Sequence, residues 1–114
     1  MARRALAVVV GVLLFGGTLV LAGQARSYSK PIEVTWDEAV KAARDAELFV
    51  ADSNRSEHWF VMRTKRKGGY EIKVSLVGSD QQATVQVDAV DPQDDERTVK
   101  HVTRYLDALD RRMD

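Results

Sequence analysis

Two histidines are the side chains of this 114-residue chain best suited to acid–base chemistry. His58 follows Glu57, and such a His–Glu pair can transfer protons. His101 lies in a charged C-terminal segment. A single His–Glu pair is a common surface feature. No glycine-rich phosphate loop, H-E-x-x-H motif or nucleophile elbow accompanies it. We therefore predict a non-enzymatic protein with no catalytic residue and no cofactor site.

Metal chemistry has equally little support in the sequence. The chain has no cysteine, which excludes disulfides, thiolate ligands and a lipid-modified N-terminal cysteine. Four acidic residues cluster within 91–96, but they lack the glycine and the ligand spacing of a calcium loop. They suit the first turn of a helix, where negative charge is favoured. No metal site is predicted.

The N-terminus has the pattern of a membrane or export segment. Arg3 and Arg4 precede residues 5–23, which carry no charge. A retained transmembrane anchor needs about 17–25 apolar residues. A cleaved signal peptide has a shorter core and a small-x-small site, which residues 20–22 and 23–25 both provide. Either interpretation keeps the basic end in the cytoplasm and sends the rest to the periplasm or outside.

Three regions follow from composition. Residues 1–23 are the anchor or signal peptide, 24–34 a polar linker, and 35–114 a periplasmic domain of a size that supports one core. Seventeen basic and seventeen acidic residues give a net charge of zero. This balance gives no electrostatic reason to expect a nucleic-acid partner.

Two helices are predicted in the domain. Thr35 and Glu38 fit a capping box, which predicts a helix over about 36–47 with a face of small residues. Asp91 and Pro92 are typical of the start of a second helix. The predicted buried stripe of that helix is Val99, Val102, Leu106, Leu109 and Met113.

Alternating apolar residues predict antiparallel strands at about 48–51, 59–66, 70–77 and 83–89. A two-residue turn at 79–80 pairs Val74 with Val85, and a three-residue loop at 67–69 pairs Met62 with Val74. Both choices bring the apolar side chains to one face. The predicted fold is α+β: an N-terminal apolar helix, then two helices packed on one face of a meander of three or four strands.

The other sheet face is predicted to be open and is the candidate site. Its proposed partner-binding residues are Trp59, Val61, Arg63, Lys65, Lys73 and Val77. Three interpretations stay open: a solvated face, docking of a protein partner, or contact with anionic lipid headgroups near the anchor. Single-stranded nucleic acid is disfavoured, because the face has one aromatic platform and lies outside the cytoplasm.

The segment IEVTWDEAVKAARDAELFVADSN, after a basic start and an apolar leader, resembles a loose group of small bacterial envelope lipoproteins of unknown function. Their domains have an αβββα or αββββα layout, and the resemblance extends over about residues 32–112. Our predicted function is a non-enzymatic, membrane-anchored periplasmic accessory module, and the alternative is a secreted or periplasmic small binding protein whose signal peptide is cleaved. The group has no established active site, so no site residue is carried over. The chain departs from the group at the lipobox, since no cysteine follows residues 21–23.

Overall fold

The computed structural model describes residues 8–15, 18–64, 71–90 and 95–114 of the chain, with side chains over 24–64, 71–89 and 97–114. Six strands and two helices lie within these ranges. In chain order they are β1 (Val8–Phe15), β2 (Thr18–Tyr28), α1 (Ile32–Asp45), β3 (Leu48–Asn54), β4 (Trp59–Thr64), β5 (Glu71–Gly78), β6 (Ala83–Val90) and α2 (Asp95–Met113).

The strands form one antiparallel sheet in the order β1-β2-β6-β5-β4-β3. The four strands from β3 to β6 follow one another as a meander, as predicted. β2 extends the meander at β6, so the last strand of the domain pairs with a strand from the start of the chain. The α+β class with two helices and an antiparallel sheet is confirmed.

Both helices pack on the same face of the sheet and share one core. α1 contributes small side chains, so it can lie close to the sheet, while α2 contributes larger ones. The core residues that are almost fully buried include Ala39, Ala42, Tyr105, Leu106, Leu109, Phe60, Met62, Ile72, Val74, Val85 and Val87. Burial of this apolar surface is the main force that holds the two layers together.

The start of α1 differs from the prediction. The helix begins at Ile32 after Pro31, one turn before the predicted start, so Thr35 is not its N-cap. The Thr35 side chain is fully buried, and its hydroxyl donates a 3.0 Å hydrogen bond to the Pro31 carbonyl. The Ile32 amide donates to the Ser79 carbonyl at 2.9 Å. A tertiary contact therefore satisfies one of the amide donors at the start of the helix, in place of a capping box.

The buried stripe of α2 is confirmed at four of its five predicted positions. Val102, Leu106, Leu109 and Met113 are buried, but Val99 is 45% exposed. Thr98, Tyr105 and Ala108 are buried alongside the stripe. At the N-terminal end of α2 the buried residue is Thr98 instead of Val99, so the stripe is shifted there by one residue. The predicted cap at 91–92 lies outside the described residues.

Both predicted strand registers differ from the structure by two residues. Val74 lies opposite Val87 instead of Val85, and Met62 lies opposite Ile72 instead of Val74. A four-residue loop joins β5 to β6, closed by the Ser79 amide donating to the Gln82 carbonyl at 2.8 Å. A shift of two residues keeps every side chain on its face, which is why the predicted faces are right although the pairs are wrong. The predicted loop at 67–69 lies outside the described residues.

Strands occupy the region where the sequence predicts an apolar helix. β1 and β2 cover most of residues 5–23, and four of the β1 residues are valines, which favour extended structure. The side chains of residues 1–23 are not described, so an anchor or signal peptide stays a prediction. Within the predicted linker at 24–34, residues 24–28 belong to β2 and α1 begins at Ile32.

Candidate functional site

The sheet face opposite the helices, here called the outer face, carries the predicted site. Phe60 and Met62 on β4 point into the core and are fully buried. Trp59, Val61 and Arg63 alternate with them and therefore point outward. On β5, Lys73 and Val77 face the same way, and Val77 is 66% exposed. Five of the six predicted residues thus share this face. Lys65 lies outside the described residues.

Apolar side chains on the outer face are diagonal neighbours across the strands. Trp59 pairs with Ser75, and Val77 stands two residues farther along β5. Phe49 on β3 pairs with Arg63, two residues from Val61, and is 43% exposed. Diagonal neighbours on one sheet face lie within reach of large side chains. Phe49, Trp59, Val61 and Val77 are therefore defined here as the outer-face patch.

Phe49 was missed in the sequence analysis, although a signal for it was present. The predicted strand at 48–51 begins with two large apolar residues in a row, so one of them had to face outward. The structure buries Leu48 and exposes Phe49. β3 also extends to Asn54, which brings Asp52 opposite Val61.

Charges on the outer face are paired within the sheet. The Arg63 guanidinium forms an ion pair with Glu71 on the neighbouring strand, with Nε 2.9 Å from Oε2. Lys73 lies over the Trp59 ring, with Nζ 5.4 Å from the ring centroid, and pairs across the strands with Asp88. Together with Asp52, three acidic residues accompany two basic ones among the described residues of this face. That part of the face therefore carries no excess of positive charge.

His58 is part of a separate polar network at the start of α1. Its Nε2 lies 2.9 Å from a Glu33 carboxylate oxygen, and the Arg55 guanidinium donates to the other oxygen at 3.0 Å. Both hydrogen bonds lower the pKa of Glu33, and the one with His58 has the larger effect. The His58 ring also contacts Trp36 edge-on, with centroids 6.0 Å apart. The partner of His58 is thus Glu33 rather than the adjacent Glu57.

His101 lies in a cleft at one end of the helix layer. The cleft has a volume of about 480 Å³ and is lined by Ala46, Glu47, Thr64, Arg97, Lys100, His101 and Arg104. His101 is half-buried there. Four of the seven lining residues are basic types, and Glu47 contributes the single carboxylate, 3.3 Å from Arg104. Composition and strand parity gave no sign of this cleft, because it forms where three elements meet.

The described residues offer neither a metal site nor a membrane-spanning helix. Over these ranges, no group of three or more His, Asp or Glu side chains is arranged to hold a metal ion. Neither helix in the described part of the chain is both long and apolar enough to cross a membrane.

Comparison with known proteins adds fold information alone. No protein-family model matches the chain, and no curated protein matches it. Among solved structures, CalU16 from Micromonospora echinospora is similar in fold, with a TM-score of 0.59. The alignment covers 95% of this chain and 81% of CalU16 at 10% sequence identity. At that identity the likeness concerns the arrangement of helices and strands.

Proposed function

We propose that this chain is a non-enzymatic, membrane-anchored accessory module of the bacterial periplasm that docks a protein partner through its outer face. The observation that carries the proposal is the outer-face patch: Trp59 with Phe49, Val61 and the 66% exposed Val77 on a face that neither helix covers. Exposed aromatic and aliphatic clusters with polar rims are typical of interface centres.

The charge pattern favours a protein over a lipid surface. Arg63 forms an ion pair with Glu71, and Lys73 lies over the Trp59 ring with Asp88 as its cross-strand neighbour. An anionic bilayer attracts unpaired cations, whereas the described part of this face presents both signs of charge. The partner that suits this face is a folded protein with an apolar patch and a rim of mixed charge.

Site-specific photo-cross-linking in the native envelope tests the docking proposal. A photoreactive residue at Val77 is expected to give one discrete cross-linked species. The same residue at Lys41, exposed on α1, gives none. Trp59→Ala combined with Arg63→Glu should abolish the species while the melting temperature stays nearly unchanged, because neither residue belongs to the core cluster.

A matched control keeps this test specific. Val34→Ala with Lys41→Glu also removes an exposed apolar side chain and reverses one charge, but on the helix layer. This control should leave cross-linking from Val77 intact. Equal cross-linking from positions 41 and 77, or a species that survives the Trp59 and Arg63 double variant, would refute docking through the outer face.

The alternative function is that of a secreted or periplasmic binding protein whose leader is removed. Cleavage after Ala22 would spare residues 24–28 of β2, whereas cleavage after Ala25 would remove Gln24 and Ala25, which pair with Val87 and Gln86. The intact mass of the native protein decides between the two functions. A species starting at Met1 in the membrane fraction supports the anchor. A soluble species starting at Gly23 supports the alternative.

A further inference from the structure

The cleft between α1, β4 and α2 combines positive charge with an unsatisfied hydroxyl. Arg97, Lys100, His101 and Arg104 line it from successive turns of α2. The Thr64 side chain lines it from the end of β4. Thr64 is only 7% exposed, and its Oγ1 has no hydrogen-bond partner among the described residues. Buried hydroxyls are nearly always hydrogen-bonded, and this one is placed to donate to a ligand in the cleft.

From this arrangement we propose that the cleft binds a phosphate group. Guanidinium groups match phosphate oxygens in geometry and charge, and an ammonium group adds a further donor. The Thr64 hydroxyl would donate to one more oxygen. A tetrahedral group with several oxygens can accept from donors on two walls of the cleft at once. A carboxylate, with two oxygens in one plane, satisfies fewer of them.

Glu47 lowers the positive charge of this cleft. It follows α1 with a φ of 62°, a left-handed conformation that glycine adopts freely and other residues adopt at a cost. Its carboxylate lies 3.3 Å from an Arg104 guanidinium nitrogen. In the absence of a ligand, the Glu47 carboxylate neutralises part of the positive charge of the cleft. An arriving phosphate competes with Glu47 for Arg104.

The position of the cleft links it to the start of the chain. β2 runs from Gln24, opposite Val87, to Tyr28, opposite Ala83. Residues before Gln24 therefore run toward the end of the sheet where Glu71 is paired and where Thr64 ends β4. If the leader is a membrane anchor, as proposed above, a phospholipid headgroup is a candidate source of the phosphate. A free phosphate compound is the source otherwise.

Calorimetric titration of the full chain, kept soluble in an uncharged detergent, tests the proposal with two probes. Inorganic phosphate represents a free phosphate, and glycerophosphoglycerol represents the headgroup of an anionic phospholipid. Saturable binding of either probe is expected, and the tighter one identifies the source. Preference for inorganic phosphate would count against the lipid source without affecting phosphate binding itself. No heat with either probe at millimolar concentration overturns the proposal.

Variants locate the binding in the cleft. Lys100→Ala with Arg104→Ala should weaken the tighter probe by about tenfold or more, because charge-assisted hydrogen bonds are lost. Lys41→Ala removes an equally exposed cation on α1 and should have no effect. Glu47→Gly should tighten binding and raise the melting temperature together. Equal affinity of the wild type and the Lys100 and Arg104 double variant would place any binding elsewhere and overturn the proposal.

Discussion

The Tyr28 hydroxyl donates a 2.6 Å hydrogen bond to the Asp110 carboxylate, which joins β2 to the C-terminal half of α2. Arg26 forms an ion pair with the same carboxylate, and the Lys30 ammonium donates to the Met113 carbonyl at 2.6 Å. Three polar contacts thus fix the start of the domain to its end. Residues that resemble a linker in composition are thus held against the C-terminal helix.

Tyr28→Phe should lower the free energy of unfolding by about 1–2 kcal/mol near neutral pH, through loss of a hydrogen bond to a charged group. Burial, and then the hydrogen bond to Asp110, raise the pKa of Tyr28 above its usual value of 10.0. The unfolded chain therefore releases this proton first, so wild-type stability is complete below about pH 10 and falls above it. The variant should lose less stability over that range in urea titrations at several pH values. Parallel curves for the two proteins would contradict the coupling.

Leu106→Ala should destabilise the domain by about 2–5 kcal/mol, because it leaves a cavity between α2 and the sheet. Leu106 and Val74 are both fully buried in the same core cluster. Val99→Ala is the matched control on the same helix, and its 45% exposure predicts a change within about 0.5 kcal/mol. Chemical denaturation measures both. A melting temperature of Leu106→Ala within a degree or two of wild type would be incompatible with the packing described.

His58→Phe should raise the pKa of Glu33 toward its ordinary value of 4.5. The substitution keeps an aromatic ring beside Trp36 but removes the hydrogen bond that lowers this pKa most. Arg55→Gln should raise it less, since Arg55 is the second contribution. Carbon-detected NMR titration of the Glu33 carboxyl gives both values. Because the folded pKa is lowered, the contribution of Glu33 to stability is present above pH 4.5 and is lost as pH falls through the folded value.

Gly78→Ala should destabilise the β5–β6 hairpin by about 1–3 kcal/mol through overpacking. A Cβ atom at position 78 would stand 2.2 Å from the Gln82 carbonyl oxygen and 2.7 Å from the Ala83 Cα, both backbone atoms. Ser79→Ala, one residue farther, removes only a 3.2 Å hydrogen bond from the Gln81 amide in an exposed loop and should cost less. Hydrogen exchange at the Ser79 amide, which closes the loop, reports the difference. Equal protection in the two variants would show that the close approach is unimportant.

Sequence alone determined which side of β4, β5 and β6 faces the core. Phe60, Met62, Ile72 and Val74 alternate with polar or outward residues, and the structure buries all four. Side-chain direction alternates with a period of two along any strand, so local pattern is sufficient to assign it. The small-residue side of α1 and most of the α2 stripe follow from the helical period in the same way. The placement of Trp59, Val61, Arg63, Lys73 and Val77 on one outer face is a consequence of that parity.

Tertiary structure decided whatever depends on contacts between distant segments. Strand parity is blind to a shift of two residues, so the register of β5 with β6 was settled by the backbone of Gly78 against Gln82. α1 begins early because Ile32 finds a hydrogen-bond acceptor at Ser79, 47 positions away in the chain. The cleft with Thr64 and Arg104 exists because the ends of α1, β4 and α2 converge there. These groups come together only in the folded chain, so local sequence periodicity cannot predict their contact.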